Sequence, residues 1–140
     1  MPSDHLSPLP MPLTLLVCDG AHRCPATGKW TLLGLFNSIQ AHQFPTEHGQ
    51  MIAYLALTDA NGMVPLRFQV VDDEGNEEPL LQIDAELTTD DPRAVAEIVI
   101  PIFGTPFPRP GDYRLQVFAC QQFLIERRIS ILDSSRNDNS

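Results

Sequence analysis

Oily and polar positions alternate with a period of two along much of this chain. Leu66, Phe68 and Val70 are separated by Arg67 and Gln69, and Leu81, Ile83, Ala85 and Leu87 by Gln82, Asp84 and Glu86. A two-residue period sends each apolar set to one side of a strand. Short β-like runs follow one another at 13–18, 30–36, 38–44, 51–57, 64–71, 80–88, 95–103, 113–119 and 123–132. Turn-forming residues separate them, among them PATG at 25–28, DANG at 59–62 and the acidic DDEGNEE at 72–78. Asn61-Gly62 is a strong hairpin signal, because glycine takes positive φ at little cost. Strands and turns at this spacing predict an all-β sandwich or barrel of about eight or nine short strands. Residues 90–96 suffice for one helical turn, and no long 3.6-residue period occurs.

Two runs depart from strict alternation. Residues 30–36 and 51–57 are apolar at both parities. Such strands are central, or are covered on their second face by a partner.

The last two runs predict a closing hairpin. A three-residue loop, 120–122, sets Ala119 against Phe123, Val117 against Ile125 and Tyr113 against Ile129, which keeps one face apolar. Arg127 then lands on the inner face opposite Leu115, so it needs a bulge or a partner near the rim. On the outer face Phe118 lies beside Leu124, Arg114 beside Arg128, and Gln116 faces Glu126. An aromatic–aliphatic pair beside arginines matches the composition enriched at protein interfaces. Arg114, Phe118, Leu124 and Arg128 are therefore the candidate binding surface, for a protein partner or for self-association. The alternative is a face covered by another part of the same chain.

Composition narrows the classes. The 140 residues suit one domain with a core of its own. The net charge of −9 repels phosphate backbones and anionic membrane surfaces, which disfavours nucleic-acid and membrane binding. Pro2, Pro8, Pro10 and Pro12 make residues 1–12 an extended arm, since proline fixes φ and lacks an amide donor. An arm of this kind is also a candidate ligand for grooves that read extended proline segments. The N-terminus has neither a basic start nor an apolar h-region, so a cytoplasmic location is expected. The domain is expected over 13–132, with 133–140 a polar, frayed tail.

Chemistry-bearing motifs are few. Cys18, His22 and Cys24 bring two thiols and an imidazole together in sequence, and zinc accepts both ligand types. Their spacing fits no standard zinc knuckle, and a fourth ligand has to come from Cys120 or elsewhere. The acidic turn fails as a calcium loop, because Gly75 falls fourth rather than sixth. Nucleophile-elbow, zincin and phosphate-cradling glycine patterns are lacking. The expected function is thus a non-enzymatic protein-binding or assembly module without a cofactor. The alternative is a small metal-binding protein or metal-dependent enzyme using Cys18, His22 and Cys24.

Gly111-Asp112-Tyr113, opening the penultimate strand, is similar to the tyrosine corner of immunoglobulin-like sandwiches. The segments LVCD at 16–19, TGKWTLLGLF at 27–36 and PFPRPGDYRLQV at 106–117 together resemble a family of short uncharacterised bacterial proteins built on a domain of unknown function. These resemblances imply a single antiparallel immunoglobulin-like β-sandwich behind a Pro-rich arm. They bring no catalytic residue.

Overall fold

The computed structural model describes residues 9–74 and 78–135. Nine strands occupy Met11–Arg23 (β1), Trp30–Leu35 (β2), Ser38–Ala41 (β3), Thr46–Thr58 (β4), Gly62–Asp72 (β5), Leu81–Thr89 (β6), Ala96–Phe107 (β7), Gly111–Ala119 (β8) and Gln122–Asp133 (β9). The first sheet has the order β2-β1-β4-β7 and the second β3-β9-β8-β5-β6. The described residues hold no α-helix, and residues 90–96 form a turn closed by the Ala94 amide on the Asp91 carbonyl at 3.1 Å. The all-β expectation and the strand number therefore hold. One pairing is parallel rather than antiparallel: β3 lies along β9, with Ile39 beside Ile131.

The sheets enclose one core. Leu15, Val17, Met51, Leu55 and Ile102 come from the first sheet, and Phe68, Val70, Leu115, Val117 and Ile129 from the second. Burial of this apolar area is the main stabilising term. The alternation read from 64–71 and 113–119 sets the inward face of β5 and β8 directly, so Phe68 and Val117 stand opposite each other across the ladder.

Tyr113 locks one end of the core. Its ring meets Phe107 edge-on at 4.9 Å between centroids. Its hydroxyl donates to the Arg109 carbonyl at 2.6 Å. The Arg109 guanidinium in turn reaches both Asp72 oxygens at 2.6 Å. A buried phenol needs such an acceptor, and a single Arg109 terminal nitrogen, Nη2, serves both carboxylate oxygens as a charge-assisted contact.

Several local expectations are corrected. β1 does not stop at Cys18 but runs to Arg23, because β2 supplies a second antiparallel partner from Cys18↔Leu35 to Arg23↔Trp30. It begins at Met11, two residues inside the expected arm, and residues 1–8 lie outside the described residues. β9 runs through Asp133, the first residue of the expected tail, and residues 136–140 lie outside the description. Asn61-Gly62 closes no hairpin. It lies in a corner that carries the chain from β4 in one sheet to β5 in the other, with Asp59 and Gly62 at φ 60° and 73°. The acidic turn joins the paired strands β5 and β6, with residues 75–77 outside the description. β7 continues through Pro101 and Pro106, which its position at a sheet edge allows.

The closing hairpin keeps most of the expected register and changes at its tip. Val117↔Ile125, Gln116↔Glu126, Arg114↔Arg128 and Tyr113↔Ile129 pair as read. The loop, however, has two residues, Cys120 and Gln121, both at positive φ (52° and 68°). Phe118 therefore pairs with Phe123, Ala119 pairs with Gln122, and a bulge absorbs the odd residue. Arg127 stays opposite Leu115 and reaches across the sheets with its two terminal nitrogens, while its Nε is buried without a hydrogen-bond partner. One terminal nitrogen donates to the Leu15 carbonyl at 3.3 Å, and the other to the Asn37 side-chain oxygen.

Candidate interaction surfaces

The outer face of the second sheet carries the residues singled out above. Gln69 donates to Gln116 at 3.0 Å, and Gln116 to Glu126 at 3.1 Å. Arg114 donates to the other Glu126 oxygen at 2.5 Å and ion-pairs with Asp73 at 2.7 Å. The Glu126 and Asp73 charges hold the Arg114 guanidinium above the ordinary arginine value. Arg67 pairs with Asp84 at 3.0 Å, and Arg128 lies 4.0 Å from Asp112. These side chains form a ladder whose polar groups are largely answered within the chain.

The apolar part of this face differs from the expected pair. The bulge turns Leu124 toward the core, where it packs half-buried. Phe123 takes the place beside Phe118, with ring centroids 6.0 Å apart in an edge-on contact. Phe123 is 50% exposed. Next to Phe118 an open groove of about 820 Å³ runs over β5 and β6, lined by Pro65, Arg67, Gln69, Asp84 and Glu86. Of the four expected surface residues, Arg114, Phe118 and Arg128 share this face and Leu124 does not.

The outer face of the first sheet is of another kind. Directly opposed residues in an antiparallel ladder point to the same side. The register therefore lays Leu35, Cys18, Ile52 and Pro101 in one row across all four strands. Leu16, Tyr54 and Val99 form the next row. Both rows lie opposite the inward Val17, Ala53 and Leu55. Leu33, Leu35 and Phe103 are 56%, 59% and 61% exposed. The first charge appears a row further on, at Glu97 opposite Ala56, and it accepts the Tyr54 hydroxyl hydrogen. Burial, reinforced by this hydrogen bond and by the Glu97 charge, pushes the Tyr54 phenol up to about 12.

Sequence reasoning placed the exposed apolar surface on the hairpin. A second one lies on the other sheet, at Leu33, Leu35 and Phe103. Its signal was the pair of runs, 30–36 and 51–57, that are apolar at both parities. After one parity fills the core, the other has only an outer face to occupy.

The cysteine cluster does not assemble. Cys18 is buried in mid-strand, His22 is exposed near the end of β1, and Cys24 stands in the turn that follows. Burial pushes the Cys18 thiol up, although it donates to the Gly20 carbonyl at 3.2 Å. Cys24 is held below the ordinary thiol value by hydrogen bonds from the Thr27 side chain and from the turn's backbone. Among the described residues no three His, Cys, Asp or Glu side chains converge as a metal site. The three histidine and cysteine ligands of the alternative reading therefore do not meet.

Fold and surfaces together define an all-β domain of two packed sheets, one outwardly ion-paired and the other outwardly apolar. The chain belongs to the family of unknown function DUF6941, whose model matches residues 13–131. That span covers β2 to β8 whole and nearly all of β1 and β9. No curated protein matches the chain.

Proposed function

We propose that this chain is a non-enzymatic binding and assembly module, an immunoglobulin-like sandwich whose working surface is the outer face of the β2-β1-β4-β7 sheet. The observation that carries the reading is the pair of uncharged rows spanning that sheet. Large apolar side chains exposed on one face, here Leu33, Leu35 and Phe103, mark an interaction site. The Tyr113 corner supports the immunoglobulin-like assignment, since its hydroxyl reaches back to the backbone four residues upstream. The Pro-rich arm over residues 1–12 and a bacterial origin belong to the same reading. So does a cytoplasmic location, which three separate thiols suit. The Phe118–Phe123 pair beside the β5–β6 groove is the second candidate surface.

Immobilised full-length chain, offered both host extract and its own soluble copy, tests the reading. Retention of either species should be lost on Leu35→Asp and Phe103→Asp and kept on Phe123→Asp. Retention of neither species by the wild type, or loss on Phe123→Asp alone, would reject the proposed face.

A further inference from the structure

We infer that the β6 edge of the second sheet is a docking site for an extended basic segment of another protein, which adds to it as an antiparallel strand. This site lies apart from the apolar sheet and does not depend on the reading given to that sheet.

Four strands form the sheet edges: β2 and β7 in the first sheet, β3 and β6 in the second. Edge strands are commonly blunted by proline or by shortness. β7 carries Pro101 and Pro106, β2 has six residues and β3 has four. β6 has nine residues, no proline, and an unbroken register with β5. Its outward backbone groups can be assigned. Pro65 on β5 accepts the Cys120 amide at 2.9 Å on its β8 side. In an antiparallel ladder the N–H and C=O of one residue point the same way. The Pro65↔Glu86 pair therefore exchanges no bond. The N–H and C=O of Gln82, Asp84, Glu86 and Thr88 then point away from β5, where no strand pairs among the described residues.

The flank behind this edge is only half covered. Val64, Leu66, Phe68 and Val70 on β5 are buried, whereas their β6 partners Leu87, Ala85, Ile83 and Leu81 are half-buried. Ile98 and Ile100, inward on the β7 edge, are half-buried too. A strand added to β6 turns every second side chain to this flank, and apolar residues there complete the core.

Charge selects the occupant. The other side chains of the added strand lie beside Asp84 and Glu86, next to the groove over β5 and β6. Asp84 is answered by Arg67, but Glu86 stands opposite Pro65 and meets no cation among the described residues. A lysine or arginine at this position supplies the missing charge. The same acids reject a second copy of β6. A two-fold pairing centred on Ala85 sets Asp84 against Glu86, and like charges directly opposite destabilise a ladder. The partner is thus an extended segment of alternating basic and apolar residues.

Fluorescence anisotropy of a labelled nine-residue peptide alternating valine and lysine, titrated with the full chain, tests the inference. The peptide should bind, and its counterpart with glutamate for lysine should not. N-methylation of the lysine amides, which face β6 in the antiparallel pairing, should abolish binding. N-methylation of the valine amides, which face away, should leave it intact. Glu86→Lys should weaken binding about fivefold or more, through like charges in one pair. Gln82→Pro removes an outward amide and keeps both acids, and should weaken binding about fivefold. Far-ultraviolet dichroism checks that both variants fold, and the methylated peptides need no variant. A lysine peptide that fails to bind at the highest soluble concentration, or binds no better than the glutamate peptide, overturns the inference. So does binding indifferent to both methylations. Leu35→Asp and Phe103→Asp should leave peptide binding unchanged, so a failure of this site and a failure of the apolar-face reading are told apart.

Discussion

On the β3-β9-β8-β5-β6 sheet, an outward arginine meets a carboxylate: Arg67 meets Asp84, and Arg114 meets Asp73 and Glu126. On the β2-β1-β4-β7 sheet the outward positions of two whole rows hold leucine, isoleucine, valine, proline, cysteine and tyrosine. Both sheets contribute buried side chains to the core, and on the first sheet the outward Cys18 and Ile52 are buried as well, at 0% and 7% exposure, so folding accounts for part of its apolar character. The second sheet has a surface finished for water. The first retains Leu33, Leu35 and Phe103 on its edge strands, whose exposure to water is unfavourable by about 25 cal/mol for each Å² left uncovered. Such a surface is consistent with a chain that works by covering it.

The largest test of this contrast lies at the hairpin tip, where two neighbouring residues have opposite environments. Leu124→Asp puts a charge against the core and should cost about 3 kcal/mol in urea unfolding. Phe123→Asp removes an exposed edge-on ring contact and should cost about 1 kcal/mol. The reverse order would restore the three-residue loop and place Leu124 on the surface.

Tyr54 gives the apolar face a pH signature. Its folded-state phenol is pushed up to about 12, above the ordinary value of 10.0. The folded chain then holds this proton more tightly than the unfolded chain. The associated stability is complete below pH 10 and is lost as pH rises toward 12. Thermal unfolding of wild type should show that fall, and Tyr54→Phe should flatten it.

The hairpin shows how much the sequence discloses. Clean alternation in 64–71 and 113–119 made the inward face of β5 and β8 legible, and with it most of the β8–β9 register. The tip was not legible, because Cys120 and Gln121 adopt positive φ without the glycine or asparagine that advertises it. Residues 30–36 and 51–57 were recognised as apolar on both sides. Which parity faces out depends on pairing with β1, a long-range fact that composition does not carry. The Asn61-Gly62 signal was genuine as a turn and misleading as a hairpin. Local φ preference does not specify whether the next strand joins the same sheet or the opposite one.

A smaller effect concerns the inward side of β7. Alternation there breaks at Gly104, which sits at φ 66°: Ile102 points inward, and beyond the glycine Thr105 and Phe107 do so. Thr105 is fully buried, and its hydroxyl has no hydrogen-bond partner. Thr105→Val keeps the shape and removes the unanswered hydroxyl, so it should raise stability by about 1 kcal/mol. Unchanged or reduced stability would indicate that the hydroxyl is satisfied in solution. The smallest effect belongs to the ion-paired sheet. A double-mutant cycle on Arg67 and Asp84, both well exposed, should yield less than about 1 kcal/mol of coupling. A larger value would mean that this ladder stabilises the fold rather than merely keeping its face wet.

Hydroxyl-radical footprinting of the full chain compares the two outer faces in a single experiment. Leu35 and Phe103 report on one face and Phe123 on the other, and all three are at least half exposed in the single chain. Raising protein concentration or adding host extract should protect Leu35 and Phe103 while Phe123 keeps its reactivity. Equal reactivity of all three at every concentration, with or without host extract, would contradict the assignment of the apolar sheet as the contact surface.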